Sequence, residues 1–183
     1  MKTIQTFLFA FLLTTFSIAQ TDTVVVDEYS EDVKLCLKNN GTYNYYDGVV
    51  DSMFTHLKTQ FADQKVTDEV WAELEAIKPD TLDELGQMVV SAYRGHFTHQ
   101  DLKNMNALYK TTAGKKMINS ETALTEGDKV ALNEFYKSET GQKIVGSQDS
   151  MNASMLQITE MWSADLYKNV LAKLSEKGFN LPE

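Results

Sequence analysis

The sequence predicts an all-α protein with a single helical domain of about eight helices. Apolar residues recur at helical spacing along nearly the whole chain after residue 28. Helix-capping residues precede several of these segments, and a repeat within the chain contains two capping signals in each copy. A length of 183 residues suits one domain with short tails.

Charge and cysteine content exclude several classes of function. The 17 Lys and Arg residues against 26 Asp and Glu give a net charge of -9, which argues against binding to nucleic acid or to an anionic membrane surface. A single cysteine excludes an internal disulfide framework and a multi-cysteine metal site. Cys36 lies in an apolar helical patch, so we expect a buried thiol rather than a reactive one or an intermolecular bridge.

Residues 1–19 have the pattern of a secretory signal peptide. Lys2 supplies the positive start, residues 7–13 form the apolar run, and small residues at positions 17 and 19 predict cleavage between Ala19 and Gln20. The apolar run is too short for a membrane-spanning helix, which needs about 20 residues, although an uncleaved anchor is the alternative. We therefore expect export to the periplasm or out of the cell, with no transmembrane segment in the mature chain.

The mature chain divides into a helical domain and two tails. We predict a flexible tail over residues 20–28, the domain over residues 29–178, and a C-terminal tail over residues 179–183. The first helix is predicted over Ser30–Asn39 and closed by Gly41, after which Thr42 caps a second helix.

The next two helices are predicted on either side of a proline. Thr67 opens the third helix, and Pro79 is expected to end it. Thr81 and Glu84 have the spacing of a capping box for the fourth helix.

A repeat with a period of 27 residues follows. Residues 98–120 and 125–147 share eight identical residues out of 23 aligned positions. Each copy has a capping signal at its start and another in its middle, so each predicts a helical hairpin. The four signals are Thr98 with Asp101, Thr111, Thr125 with Asp128, and Ser138.

A glycine occupies the first turn of the second helix in both copies. Gly114 and Gly141 have no propensity advantage there, so we expect the missing Cβ to allow close approach by another backbone or an aromatic ring.

The last helical segment, residues 139–177, is unusually long. As one helix it would extend about 58 Å, whereas a compact domain of this size is roughly 40 Å across. It must therefore project, kink or pair with another chain, and we expect a break at Gly146–Ser147, with Gly178 closing the segment.

The motifs of the repeat resemble a known bacterial family. These are residues 97–102, residues 108–111 with Gly114 and Lys116, and residues 135–143. The last two segments share the core Tyr-Lys-[Ser/Thr]-x-x-Gly-x-Lys. They resemble the family called domain of unknown function 2059, over about residues 31–177, with Leu108 standing where the family usually has Phe. The resemblance implies an exported, all-helical bacterial protein and implies no reaction.

The sequence contains no specific catalytic or cofactor motif, and we predict neither a cofactor nor a metal. The Gly114-Lys115-Lys116 run lacks the earlier glycine and following hydroxyl of a phosphate loop. His96, His99 and Asp101 are an alternative zinc ligand set. Met105, Met117, Met151, Met155 and Met161 give a second alternative, Cu(I) binding by thioethers, and a third, an adaptable hydrophobic groove. We weigh both against core packing of these methionines.

These observations favour a non-enzymatic envelope protein that binds a protein or peptide partner through an apolar groove or its C-terminal helix. One alternative is a hydrolase acting on an envelope component such as glycan, with acidic residues in a cleft. Others are a ligand or anion site at the duplicated Gly-Lys turns, and self-association through the C-terminal helix. The candidate binding residues are Tyr109, Thr111, Gly114, Lys116, Tyr136, Ser138, Gly141, Lys143, Met155 and Trp162.

Overall fold

A computed structural model describes residues 27–119 and 123–181, and its architecture confirms the all-α prediction. The predicted signal peptide and residues 20–26 of the predicted tail lie outside the described residues. Within the described ranges there are eight α-helices, no strand, and a 3₁₀ turn at Ala62–Gln64. The helices are α1 (Glu28–Asn39), α2 (Thr42–Gln60), α3 (Asp68–Glu75), α4 (Lys78–Arg94), α5 (His99–Lys110), α6 (Thr112–Ile118), α7 (Glu126–Lys137) and α8 (Glu139–Glu176).

The start of α1 and its junction with α2 differ slightly from the prediction. Helix α1 begins at Glu28 because the Asp27 carboxylate accepts a hydrogen bond from the Ser30 backbone N–H at 2.9 Å. Gly41 follows the end of α1 with a φ of 82°, as its predicted role requires. Thr42 is not a cap: it is the first residue of α2, and its N–H donates to the Asn40 side chain.

The prediction that Pro79 ends α3 and that Thr81 and Glu84 cap α4 is wrong. Helix α3 ends at Glu75, and Pro79 lies in the first turn of α4, where its missing N–H has no partner to lose and its φ suits a helix. Thr81 is already inside α4, because its backbone N–H donates to the Ile77 carbonyl at 3.0 Å.

Most of the buried apolar residues form one core. It joins helices α1 to α5 to the C-terminal half of α8, where Trp162, Leu166, Val170 and Leu174 are buried. Cys36 is fully buried in this core, as predicted, and burial raises the pKa of its thiol to about 12. A smaller cluster of Leu108, Ala113 and Leu132 lies inside the repeat.

Helix α8 runs without interruption for 38 residues, so the predicted break at Gly146–Ser147 is wrong. A glycine in a helix interior costs only about 1 kcal/mol relative to alanine, which is too little to interrupt a helix packed at both ends. Its first turn is buried at Thr140 and Gly141, and burial resumes at Trp162. The intervening residues are exposed or half-buried, and Gly178, with a φ of 90°, follows the end of the helix. No described helix is long and apolar enough to cross a membrane.

Candidate binding site

The two repeats fold into two helical hairpins, α5–α6 and α7–α8, each joined by a single residue. Thr111 is both the C-cap of α5 and the N-cap of α6, and Ser138 has the same two roles for α7 and α8. The hydroxyl of Thr111 donates to the Leu108 carbonyl at 2.7 Å and accepts from the Gly114 N–H at 3.0 Å. Ser138 repeats this arrangement with Phe135 and Gly141, at 2.6 and 3.2 Å. The predicted caps at Thr111 and Ser138 are therefore confirmed.

The glycines allow the two helices of each hairpin to approach closely, as predicted. A Cβ on Gly114 would lie 2.1 Å from the Leu108 carbonyl oxygen, and one on Gly141 would lie 2.3 Å from that of Phe135. Both contacts are with backbone atoms of the preceding helix, which no side-chain rotation can relieve. Gly114 and Gly141 are therefore needed for the turn rather than for exposing backbone to a ligand.

The lysines of the repeated motif pair with acidic residues of the opposite repeat. Lys116 of the first hairpin contacts Asp128 of the second at 2.7 Å, and Lys143 of the second contacts Asp101 of the first at 3.0 Å. Both aspartates are the acidic residues of the capping boxes at the starts of α5 and α7. These two reciprocal ion pairs join the hairpins, with α6 beside α7 and α5 beside α8.

The two ion pairs differ in their surroundings. Asp101 is buried and also accepts a hydrogen bond from the Thr140 hydroxyl at 2.7 Å, while Asn104 donates to that hydroxyl at 2.9 Å. Around the pair of Lys116 and Asp128, alanine replaces both of these polar residues: Ala113 is equivalent to Thr140, and Ala131 is equivalent to Asn104. The hydrogen bonds from Thr98 and Thr140 and the Lys143 ammonium outweigh burial and hold the pKa of Asp101 well below its usual range.

This pairing bears on the anion-site alternative. The ammonium groups of Lys116 and Lys143 already contact carboxylates, so an anion at either turn would compete with an internal acid. The geometry assigns Thr111, Ser138 and both lysines to holding the hairpins together.

A groove of about 310 Å³ lies where the end of α4 and helices α5, α7 and α8 meet. We call it the aromatic groove. Every residue that lines it is uncharged: Tyr93, Phe97, Met105, Tyr109, Tyr136, Ile144, Val145, Ser147, Gln148, Met151 and Asn152. Tyr93 and Phe97 lie with their ring centroids 5.6 Å apart, and the Tyr136 hydroxyl donates to the sulfur of Met117 at 3.5 Å. The arrangement can accept an apolar group but offers no acid, base or nucleophile pair.

The structure brings two of the predicted binding residues, Tyr109 and Tyr136, into the aromatic groove. Met155 is half-buried against the core and does not line the groove. Trp162 is a core residue with 3% exposure, and its indole N–H donates to the Thr81 carbonyl at 2.8 Å. A substitution at Trp162 therefore perturbs folding before it perturbs binding.

Sequence reasoning missed most of the groove. Met105 and Met151 were predicted as possible groove-lining methionines, but Tyr93 and Phe97 were not. No signal in the sequence distinguishes an apolar residue at a core edge from one inside the core. Val145 offered a further signal, because it is apolar although it lies on the outward side of the long helix, where it is 56% exposed.

The metal-site alternatives receive no support from the geometry. The ring of His99 contacts Asp32 at 2.7 Å, and Asp101 is engaged in its capping box. Within residues 27–119 and 123–181, no group of three or more His, Cys, Asp or Glu side chains is arranged to hold a metal ion. Met105 and Met151 line the aromatic groove together, whereas Met161 is 58% exposed and does not line it, so the five methionines do not form one cluster.

An acidic cleft of about 260 Å³ lies elsewhere, between α4 and the C-terminal half of α8. Asp80 and Glu84 line it from α4, and Asp165 lines it from α8, with Lys173 also at its wall. The cleft brings carboxylates of two helices to one concave surface, as a hydrolytic pair requires.

The fold defines an all-helical protein built on a duplicated helical hairpin. The family model DUF2059, an uncharacterized protein conserved in bacteria, matches residues 83–129 and 121–168, and each match contains one repeat. The chain carries this bacterial family's pattern there, which confirms the resemblance seen in the motifs. No curated protein and no solved structure matches the chain significantly.

Proposed function

We propose that this protein is exported and acts in the cell envelope as a non-enzymatic module that binds a protein or peptide partner. The observation that carries the proposal is the aromatic groove, an uncharged concave surface in a chain whose net charge is -9. Pockets lined by apolar and aromatic side chains with a few polar groups are the usual form of binding sites.

The outer side of α8 extends the apolar surface beyond the groove. Residues 144–159 contain one charged residue, Asp149, although 23% of the whole chain is charged. Val145, which lines the groove, is 56% exposed, and Leu156, further along the helix and outside the groove, is 70% exposed. Apolar residues exposed next to a groove are typical of a contact surface for another molecule.

A crosslinked pull-down of the tagged mature chain from its own envelope tests the proposal. Val145→Arg places a charge at the groove, whereas Gln157→Arg places the same charge on an exposed position of α8 that does not line it. We expect one stoichiometric partner with the native chain and with Gln157→Arg, and its loss with Val145→Arg. A blank result with folded, abundant bait would contradict the proposal, as would a partner that Val145→Arg retains.

Export is tested separately. We expect the full-length chain to be processed between Ala19 and Gln20, and the mature form to be found in the periplasm or the medium. Mass spectrometry of the protein recovered after cell fractionation identifies its N-terminus and compartment. Recovery of unprocessed chain in the cytoplasm would contradict export.

A hydrolase acting on envelope glycan is a second candidate, and the acidic cleft is the observation in its favour. Such an enzyme needs two carboxylates on opposite sides of the scissile bond, about 5–10 Å apart. Glu84 on α4 and Asp165 on α8 line opposite walls of the cleft. Release of soluble fragments from purified envelope glycan, abolished by both Glu84→Gln and Asp165→Asn, would support this candidate over the binding module.

A further inference from the structure

We infer that the aromatic groove binds a peptide segment through one uncharged aromatic or aliphatic side chain, with the side-chain amides of Gln148 and Asn152 binding the peptide main chain. This inference rests on the proposed function and specifies the chemistry of the partner.

The size of the groove limits what can enter it. Its volume of about 310 Å³ lies at the lower end of the range of ligand pockets, which is about 300–1,000 Å³. A single large side chain fits this space, whereas a helix face with several anchors would need a longer groove.

The lining determines the chemistry of that side chain. No acidic, basic or histidine residue lines the groove, so a charged group entering it would lose water without gaining a partner. Tyr93, Phe97 and Tyr109 contribute aromatic rings to this lining, and aromatic rings favour contact with another aromatic ring.

The rim distinguishes a peptide from a lipid chain. Gln148 and Asn152 are exposed and lie four residues apart on α8, so they project from the same side of the helix. Each amide can both donate and accept a hydrogen bond, which matches the N–H and C=O groups of a peptide main chain. An acyl chain carries no such groups and would form no hydrogen bond with either amide.

The groove contains a further polar group. The Tyr109 hydroxyl has no hydrogen-bond partner within the described part of the chain, in contrast to the hydroxyl of Tyr136. It is therefore free to bind a main-chain carbonyl of an occupant.

Methyl NMR of the mature chain tests the inference without requiring the natural partner. The probe is the blocked pentapeptide Gly-Ser-Phe-Ser-Gly, compared with the same peptide carrying Asp instead of Phe. We expect the Phe peptide to shift the methyl signals of Met105, Met151 and Ile144 saturably, with Met161 unchanged as an internal reference. The Asp peptide should bind at least tenfold more weakly.

The role of the amides is tested by the double variant Gln148→Ala and Asn152→Ala. Both side chains are exposed, so the fold should be retained, and we expect the affinity for the Phe peptide to fall at least fivefold. Gln157→Ala is the matched control on the same helix and should leave the affinity unchanged.

Three results would overturn the inference. These are saturable shifts with decanol but not with the Phe peptide, equal binding of the Phe and Asp peptides, and binding of the Phe peptide only after residues 20–26 are deleted. The last would identify the chain's own Val24–Val26 as the occupant. The pull-down tests the proposed function independently of the pentapeptide experiment. A partner that is lost with Val145→Arg supports the proposed function even if the pentapeptide does not bind.

Discussion

Asp101 and Asp128 occupy equivalent capping positions but differ in burial and in the number of groups that they bind. Asp101 accepts from Thr98, Thr140 and Lys143, whereas Asp128 lacks a counterpart of Thr140. Hydrogen bonds to a buried charge are each worth about 1.5–3 kcal/mol. We therefore predict that Asp101→Asn lowers the free energy of unfolding by about 2–3 kcal/mol, and that Asp128→Asn has a smaller effect. Urea denaturation of both variants measures the difference, and equal losses would contradict it.

The same carboxylates predict how stability changes with pH. Hydrogen bonds from Ser30 lower the pKa of Asp27 to about 2, and those from Lys116 and Thr125 lower the pKa of Asp128 to about 2. Because both values lie below the ordinary value of 3.8, the unfolded chain takes up protons first as the pH falls. The stabilisation is complete above the unfolded pKa and is lost as the pH falls from about 4 towards 2.

The thermal midpoint should therefore be steady from pH 7 to pH 5 and then decrease steeply below pH 4. The thermal midpoint of the Asp128→Asn variant should decrease less over the same pH interval, because the variant lacks one of the carboxylates that titrate. A midpoint as high at pH 2.5 as at pH 6 would contradict this assignment of the carboxylates.

At the scale of single elements, the glycines of α6 and α8 allow a comparison within one chain. A Cβ at position 114 or 141 would meet backbone atoms at 2.1 or 2.3 Å, whereas a Cβ at Gly146 would have no neighbour within 4 Å. We predict that Gly114→Ala and Gly141→Ala each destabilise the protein by about 1–3 kcal/mol. Gly146→Ala should stabilise it by up to about 1 kcal/mol, because alanine is the better helix former.

Thermal unfolding monitored by circular dichroism measures all three variants. The comparison separates the effect of the close approach from the general effect of replacing glycine, since all three residues lie in helices. Stabilisation by all three substitutions would show that the hairpin turns tolerate a Cβ.

The contrast between correct and incorrect predictions has a physical origin at this scale. The capping boxes at Thr98 and Thr125 were predictable because all their groups lie within four residues of each other. Pro79 was ambiguous, because proline suits both the residue after one helix and the first turn of the next. The continuity of α8 depends on packing at its two ends, which local sequence does not encode.

The aromatic groove was not predictable for a related reason. Its lining comes from four helices and the loop after α4, and its shape depends on how those elements pack. The sequence identified Tyr109 and Tyr136 only because the repeat drew attention to them. Met105 and Met151 were candidates because methionines can line a hydrophobic groove, whereas Phe97 became recognisable as a groove residue only from the tertiary arrangement.

For the whole molecule, the main core determines how the chain unfolds. It contains buried residues from α1 to α5 and from the C-terminal half of α8. Helices α5 and α8 also belong to the hairpins, so the repeat is attached to the core at both of its ends. We infer that the hairpins and the core unfold together rather than in two steps.

The two tryptophans allow this cooperativity to be measured. Trp71 of α3 and Trp162 of α8 are both buried in the main core, while far-ultraviolet circular dichroism reports all the helices. We predict coincident urea transitions by fluorescence and by circular dichroism. Leu102→Ala on α5 should shift both transitions by the same amount. The free energy of unfolding should fall by about 2–5 kcal/mol, because removal of this fully buried side chain leaves a cavity.

Leu156→Ala is the matched control for this prediction. It makes the same Leu-to-Ala truncation on α8, at a position that is 70% exposed. The free energy of unfolding should therefore change by no more than about 0.5 kcal/mol. A circular dichroism signal that falls in two steps, with fluorescence following only one of them, would show that the hairpins unfold independently. In that case the aromatic groove, which lies between the two parts, would open before the core is lost.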